Sequence, residues 1–236
     1  MGNFALKWEK FVHAMIDNGG YRNVLEGLRN TLLVAVFGLI IGIAIGTIIA
    51  AVEVMPKYKR LPRALNKLCQ LYVAFFRGTP LVVQLLVGYF VLRPLLGLNL
   101  SALASCIIIY GMNSGAYVSE IMRGGIQSVD GGQMEAGRAL GLSYAVTMVK
   151  IVIPQAVKNI LPTLGNEFIA LVKDTSIVSF VGTTDLYVAF KFIGTNNYEF
   201  MIPYLVMALI YIVMVLLITF GIHMMERSLK KSDRRN

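Results

Sequence analysis

The sequence predicts an all-α membrane protein with five transmembrane helices, an N-terminal interfacial helix and a short helix on the cytoplasmic side. Three observations carry that prediction. Of 236 residues, 56% are hydrophobic and 15% charged, and mean hydropathy is +0.67, too little charge to cover a soluble domain of this length. Long apolar runs occupy residues 31–52, 81–92, 101–117 and 204–220, and a crossing needs roughly 20 mostly apolar residues. The formal charge of +9 is also concentrated in place. Lys57, Lys59, Arg60, Arg63 and Lys67 fill one connection, and Arg227, Lys230, Lys231, Arg234 and Arg235 fill the tail. Basic short loops mark the cytoplasmic face, whereas 93–100 and 182–200 are nearly neutral. Two basic segments inside require an odd number of spans, with the N-terminus outside and the C-terminus in the cytoplasm. The charge is thus a topology signal, and nucleic acid is not an expected partner.

Residues 1–27 form the N-terminal amphipathic segment. Phe4, Trp8, Phe11, Val12 and Met15 stand among charges there, a pattern suited to the outer interface. No cleavable signal peptide is read from Lys7, Trp8, Glu9 and Lys10. The membrane domain occupies 28–226. Its first span carries Gly38, Gly42 and Gly46, spaced four apart so that another helix can approach closely.

The stretch 62–92 is too long for one straight crossing. FFRGTPLVVQL predicts a break, with Thr79 capping a helix that begins at Pro80 and Arg77 snorkelling to the inner boundary; a place on the substrate path is the alternative for Arg77. In the third span Asn113, Tyr117 and Glu120 share a helical stripe. Interhelical hydrogen bonding and solute contact both account for it. Cys69 and Cys106 read as small buried residues rather than a disulfide. His13 and His223 lack ligand-spaced partners, so no metal site is expected. No nucleotide, metalloprotease or serine-hydrolase motif is found, which leaves the chain without a catalytic residue.

Next comes a polar interruption, residues 130–154. Asp130 stands three residues before Gln133, as in a capping box. Gly141 is a natural C-terminal stop, and Ser143 can cap the next helix. A helix of about ten residues is marginal alone, so neighbours or a partner must hold it. The face holding Glu135, Ala136 and Ala139, with Gly137 beside it, presents small surfaces and one acid, suited to a groove on another protein. A helix that merely tidies an interfacial loop is the alternative.

The fourth span, PTLGNEFIALVKDTSIVSF, carries Glu167 and Asp174 seven apart on one face, with Asn166 and Lys173 on the adjacent stripe. A charge at the bilayer centre costs about 2.5–3.5 kcal/mol, so these groups are read as a candidate substrate pocket. The acids would take an ammonium or guanidinium, and Lys173 a carboxylate. Snorkelling by Lys173 and helix capping by Asp174 are the structural alternatives. Pro154 and Pro162 would bend the span. Residues 183–197, with Tyr187, Phe190 and Phe192, form a short outer helix or a packed loop. Residues 227–236 are the basic tail.

EAGRALGLSYAVTMVKIVIP, residues 135–154, resembles the coupling motif of ATP-binding-cassette importer permeases: EAAxxxG, nine residues, then IxLP. Glu135, Ala136, Gly141, Ile151 and Pro154 match, while Gly137 replaces the second Ala and Ile153 the Leu. FRGTPLVVQ (76–84) and LVKDTS (171–176) are similar to the polar amino-acid branch. The resemblance spans about 20–225 and implies the type I importer permease fold in a bacterial inner membrane. It also implies two ATP-hydrolysing subunits, a second permease copy and an extracytoplasmic solute-binding protein. Glu135, Ala136, Gly137, Ala139 and Gly141 would then belong to the ATPase-docking segment. ATP and Mg would be used by the partner, with no cofactor on this chain. Glu167 favours basic or amide cargo: arginine, lysine, histidine or glutamine. The rival readings are a cation-coupled secondary carrier, which usually shows repeats that are not visible here, and an intramembrane enzyme.

Overall fold

The computed structural model describes residues 2–55 and 60–233, so Lys57, Lys59, Arg234 and Arg235 of the basic segments lie outside the described residues. All regular structure among them is helical: α1 (Gly2–Ile16), α2 (Gly20–Val54), α3 (Arg60–Gly78), α4 (Leu81–Val87), α5 (Arg93–Leu95), α6 (Ala102–Gln127), α7 (Gly131–Ala139), α8 (Tyr144–Thr147), α9 (Ile153–Asp174), α10 (Leu186–Asn197) and α11 (Met201–Asp233). Gly20–Val54, Ala102–Gln127 and Met201–Leu229 are each long and apolar enough to cross a membrane. Arg60–Gly78 with Leu81–Leu95, and Tyr144–Val181 with Leu186–Asn197, pass the same test as broken pairs, giving three to five spans. The predicted interruption near residue 79 is present. The next helix starts at Leu81, with Pro80 at its N-cap, and the Thr79 hydroxyl donates back to Phe75 O at 2.8 Å.

Two π-helical turns share one design. Gly88–Leu92 precedes Arg93 and Pro94, and Met148–Val152 precedes Ile153 and Pro154. In each, the residue before the proline donates its N–H five residues back, Arg93 to Gly88 O and Ile153 to Met148 O. A proline ring clashes with the carbonyl four residues earlier and brings no donor, and the wider turn takes up that misfit. At Pro154, where a bend was expected, the helix changes type, while Pro162 lies inside α9.

The contacts divide the chain into two compact units. One holds residues up to Gly38, Pro80–Tyr110 and Ile169–Leu217. Its core joins α1 to α10: Phe11, Ala14 and Val24 pack with Leu186, Phe190, Ile193 and Ile202. Lys7 closes the same contact through a 2.9 Å ion pair with Glu199. The Lys7 ammonium holds the Glu199 carboxyl below the usual carboxylate range, and the Met201 N–H adds to the effect. Asp185, fully buried, caps α10 by accepting from Val188 N. Of the helix and the packed loop read for 183–197, the helix is present, and its Leu186, Ala189, Phe190, Ile193 and Gly194 are buried. α2 begins at Gly20, inside the segment set apart as 1–27.

The other unit holds Leu39–Thr79, Gly111–Phe168 and residues from Ile218 onward. Reciprocal glycines organise α2 against α6. A Cβ on Gly111 would meet Ile41 Cβ at 2.5 Å, and one on Gly115 would meet Ile45 Cγ2 at 2.7 Å. In return, Gly42 admits Ser114 and Gly46 admits Val118. Only residues without side chains allow this approach, which makes van der Waals packing the glue where no hydrophobic drive exists. Asn113 is buried and donates to Phe76 O at 3.4 Å, tying α6 to α3.

Candidate functional site

The glycine seam ends in chemistry. Ser114, fully buried on Gly42, donates to Glu167 Oε1 at 2.9 Å and so fixes one carboxylate of α9. Glu167 faces a cavity of about 470 Å³ shared with Arg77, Tyr117, Glu120, Ser128, Asn159 and Thr163, a volume within the range of small-molecule pockets. Arg77, at the end of α3, pairs with Glu120 Oε2 at 3.3 Å and lies 5.6 Å over the Tyr117 ring. Glu120 Oε2 is also held by Arg123 Nη2 at 2.6 Å. Also in the lining, Asn159 donates to Ser128 Oγ at 2.8 Å. The cavity therefore brings a guanidinium and two carboxylates into one polar lining, with Glu120 already paired to Arg77 and Arg123.

Of the four residues singled out in the fourth span, only Glu167 lines this cavity. Asn166 is exposed. Lys173 and Asp174 belong to the other unit, where Lys173 borders a different cavity of about 530 Å³ with Ser176, Tyr187 and Tyr211. Asp174 stands at the N-cap of the 3₁₀ turn Thr175–Val181, yet its side chain makes no capping bond. Its backbone carbonyl accepts from Tyr110 OH at 2.6 Å. Helical residues seven positions apart share a face but are separated by roughly 10 Å along the axis, and the helix changes type after Asp174. Arg77, half exposed at the end of α3, pairs with Glu120 and lies over the Tyr117 ring, contacts that a reading from the sequence alone does not supply. The readable signal was one arginine and one glutamate, each interrupting an apolar stretch.

The polar segment 130–154 folds as its punctuation predicts. Asp130 Oδ1 accepts from Gly132 N at 2.7 Å. The reciprocal arm of a capping box is replaced, since Gln133 Oε1 accepts from Gln155 Nε2 at 3.4 Å. At the other end Gly141 takes φ +82°. Gly141 N donates to Arg138 O and Leu142 N to Gly137 O, at 3.0 and 3.1 Å, which is the Schellman arrangement. Ser143 Oγ accepts from Val146 N. Glu135, Ala136, Ala139 and Gly141 are exposed, and Leu140 is 81% exposed. Gly137, beside that face, points inward. It is buried against Thr147, whose Cγ2 would lie 2.5 Å from an added Cβ.

A polytopic helical membrane protein with a charged cavity and a capped, outward helix is a solute-permease architecture. Residues 42–231 match the family of binding-protein-dependent transport system inner membrane components, and the chain belongs to that family. It is therefore a multi-pass inner-membrane protein. Among its relatives, the arginine transport system permease protein ArtQ of Bacillus subtilis is 39% identical over 210 residues, covering 89% of this chain and 94% of that protein. A Rickettsia bellii protein carrying the name of a glutamine transport system permease, GlnP, is 38% identical over 206 residues, with 87% and 92% coverage. A crystal structure of an amino acid ABC transporter with histidines superposes at TM-score 0.82, with 37% identity and coverage of 91% and 97%. The inward-facing methionine transporter MetNI shares the fold at TM-score 0.68 and 20% identity. The type I importer permease fold is thereby the fold of this chain.

Proposed function

We propose that this chain is the permease subunit of an ATP-driven importer of polar amino acids, with basic or amide side chains preferred. The observation that carries the reading is the cavity in which Glu167, Glu120 and Arg77 face one volume. Arg77 offers a partner for the cargo carboxylate and Glu167 one for its ammonium, guanidinium or amide. An acidic side chain would meet Glu167 as a like charge in a medium of reduced dielectric. The names of the arginine and glutamine relatives support the same cargo class. Membership in a binding-protein-dependent family weighs against the cation-coupled carrier.

In this reading α7 lies in the cytoplasm and docks on an ATP-binding-cassette subunit, two of which serve a pair of permease chains. Glu135, Ala136, Ala139 and Gly141 supply small and acidic surface, and Leu140 supplies an apolar knob. Gly137 acts indirectly, by letting α7 seat on Thr147. A solute-binding protein delivers cargo from the opposite face, where the N-terminus lies. ATP and Mg bind the partner, whose closure is transmitted through α7 to the spans.

The test is ATP hydrolysis by the complex, purified from native membranes, reconstituted in lipid and supplied with its binding protein. Stimulation by arginine, lysine, histidine or glutamine, and not by glutamate, is expected. Turnover indifferent to every amino acid overturns the assignment.

A further inference from the structure

A second polar cavity, of about 620 Å³, lies in the same unit and is lined by Glu53, Asn66, Gln70, Glu120, Arg123 and Gln127. We propose that it is a second binding site for the transported solute, taking the ammonium or guanidinium end of a polar amino acid. The inference rests on the transport reading above.

The lining is built from helix ends. Glu53 is one residue from the end of α2, Gln127 ends α6, and Asn66 is on α3, which begins at Arg60. The α2–α3 connection is the basic, inward-facing one in the proposed topology, so the cavity lies on the release side. Acceptors dominate its chemistry. Asn66 is 7% exposed, and its Oδ1 is buried without a hydrogen-bond partner. A buried acceptor left in that condition is unfavourable unless a donor arrives. The Glu53 side chain is 9% exposed, and its Oε2 lies 3.9 Å from Arg123 Nε, a long ion pair. Arg123 also pairs with Glu120 at 2.6 Å and donates to Gln127 Oε1 at 3.1 Å. A cationic solute group entering here meets Asn66 and Glu53 as acceptors, while Arg123 and Gln70 face its carboxylate end.

Glu120 belongs to both cavities. The same oxygen, Oε2, is paired to Arg77 on the Glu167 side and to Arg123 on the second side. The partition between the two volumes is therefore an ion bridge instead of an apolar plug. A guanidinium or ammonium can exchange with Arg77 and then with Arg123 without leaving Glu120 unpaired, which gives a charged solute a continuous set of partners.

The experiment is equilibrium binding of radiolabelled L-arginine, and separately L-glutamine, to the purified permease–ATPase complex in nanodiscs. Wild type is expected to bind two equivalents per permease chain. Asn66→Leu should lose one of them, with at least tenfold weaker binding, and Asn66→Asp should keep it. Glu167→Gln should lose the other. One equivalent in wild type, retained by Asn66→Leu and lost in Glu167→Gln, overturns the second site and leaves the transport reading standing. Loss only in Asn66→Leu, with Glu167→Gln unchanged, upholds the second site and removes Glu167 from the first. No binding of either probe to a folded wild-type complex overturns both.

Discussion

Alanine at position 42 should damage cargo selection from a distance, through Ser114. A Cβ there would stand 2.7 Å from Ser114 Oγ, 2.8 Å from Ser114 Cβ and 3.2 Å from its carbonyl carbon. Ordinary carbon contacts are about 3.5–4.0 Å, so Ser114 must retreat by roughly 0.8 Å. A displacement of that size disrupts the geometry of the 2.9 Å bond to Glu167, whose usual limit is about 3.2 Å. Overpacking costs about 1–3 kcal/mol of stability. The lost bond to a charged acceptor, discounted because Glu167 is partly exposed, costs about 1 kcal/mol, or roughly fivefold in cargo affinity. Gly46→Ala is the matched comparison, because its Cβ would lie 2.7 Å from Val118 Cγ1 and 2.8 Å from Ser119 N. It should lower the melting temperature comparably while leaving selectivity unchanged. Ser114→Ala should change selectivity without the packing cost. The assay is paired arginine and glutamine uptake in proteoliposomes, with thermal unfolding of each variant. Equal arginine-to-glutamine ratios in all three variants and wild type would refute the claim that Ser114 positions Glu167.

Three further outcomes follow from the same contacts. Gly137→Ala should weaken capture of the ATPase subunit and destabilise the segment by about 1–3 kcal/mol, and adding Thr147→Ala should restore both, read by pull-down and melting. Leu140→Ser should reduce ATPase association without lowering the melting temperature of the isolated permease, since the side chain is 81% exposed. Lys7 depresses the Glu199 pKa, so their pair stabilises α1 on α10 above the ordinary glutamate value of about 4.3. That contribution is lost as pH falls through the lower folded value. Thermal unfolding followed down through the acid range should show this step in wild type and not in Lys7→Met.

Periodicity and punctuation made the helices legible, because they are local. Apolar runs marked the spans, Thr79–Pro80 the break, and Asp130, Gly141 and Ser143 the ends of α7 and α8. The glycine stripe was readable as a packing face, although its partners Gly111 and Gly115 lie far along the chain. The site was legible in part. Glu167 stood out by its cost in an apolar span, but sharing a helical face with Asp174 did not make one cavity. Arg77 and Glu120 could not be paired from sequence, since their contact depends on how α3 meets α6. Gly137 could be placed beside the outward face of α7, but only the position of Thr147 shows why a methyl group is excluded there. The π turns before Pro94 and Pro154 have no propensity signal beyond the prolines themselves.

The most direct measurement is ATP-driven uptake of arginine and glutamine by the reconstituted complex carrying Glu167→Gln. The account predicts that arginine uptake falls roughly tenfold more than glutamine uptake, because only the cation loses a charged partner within the cavity. Equal loss for both amino acids, at wild-type assembly and basal ATP turnover, would show that Glu167 holds the helices together and does not meet the cargo.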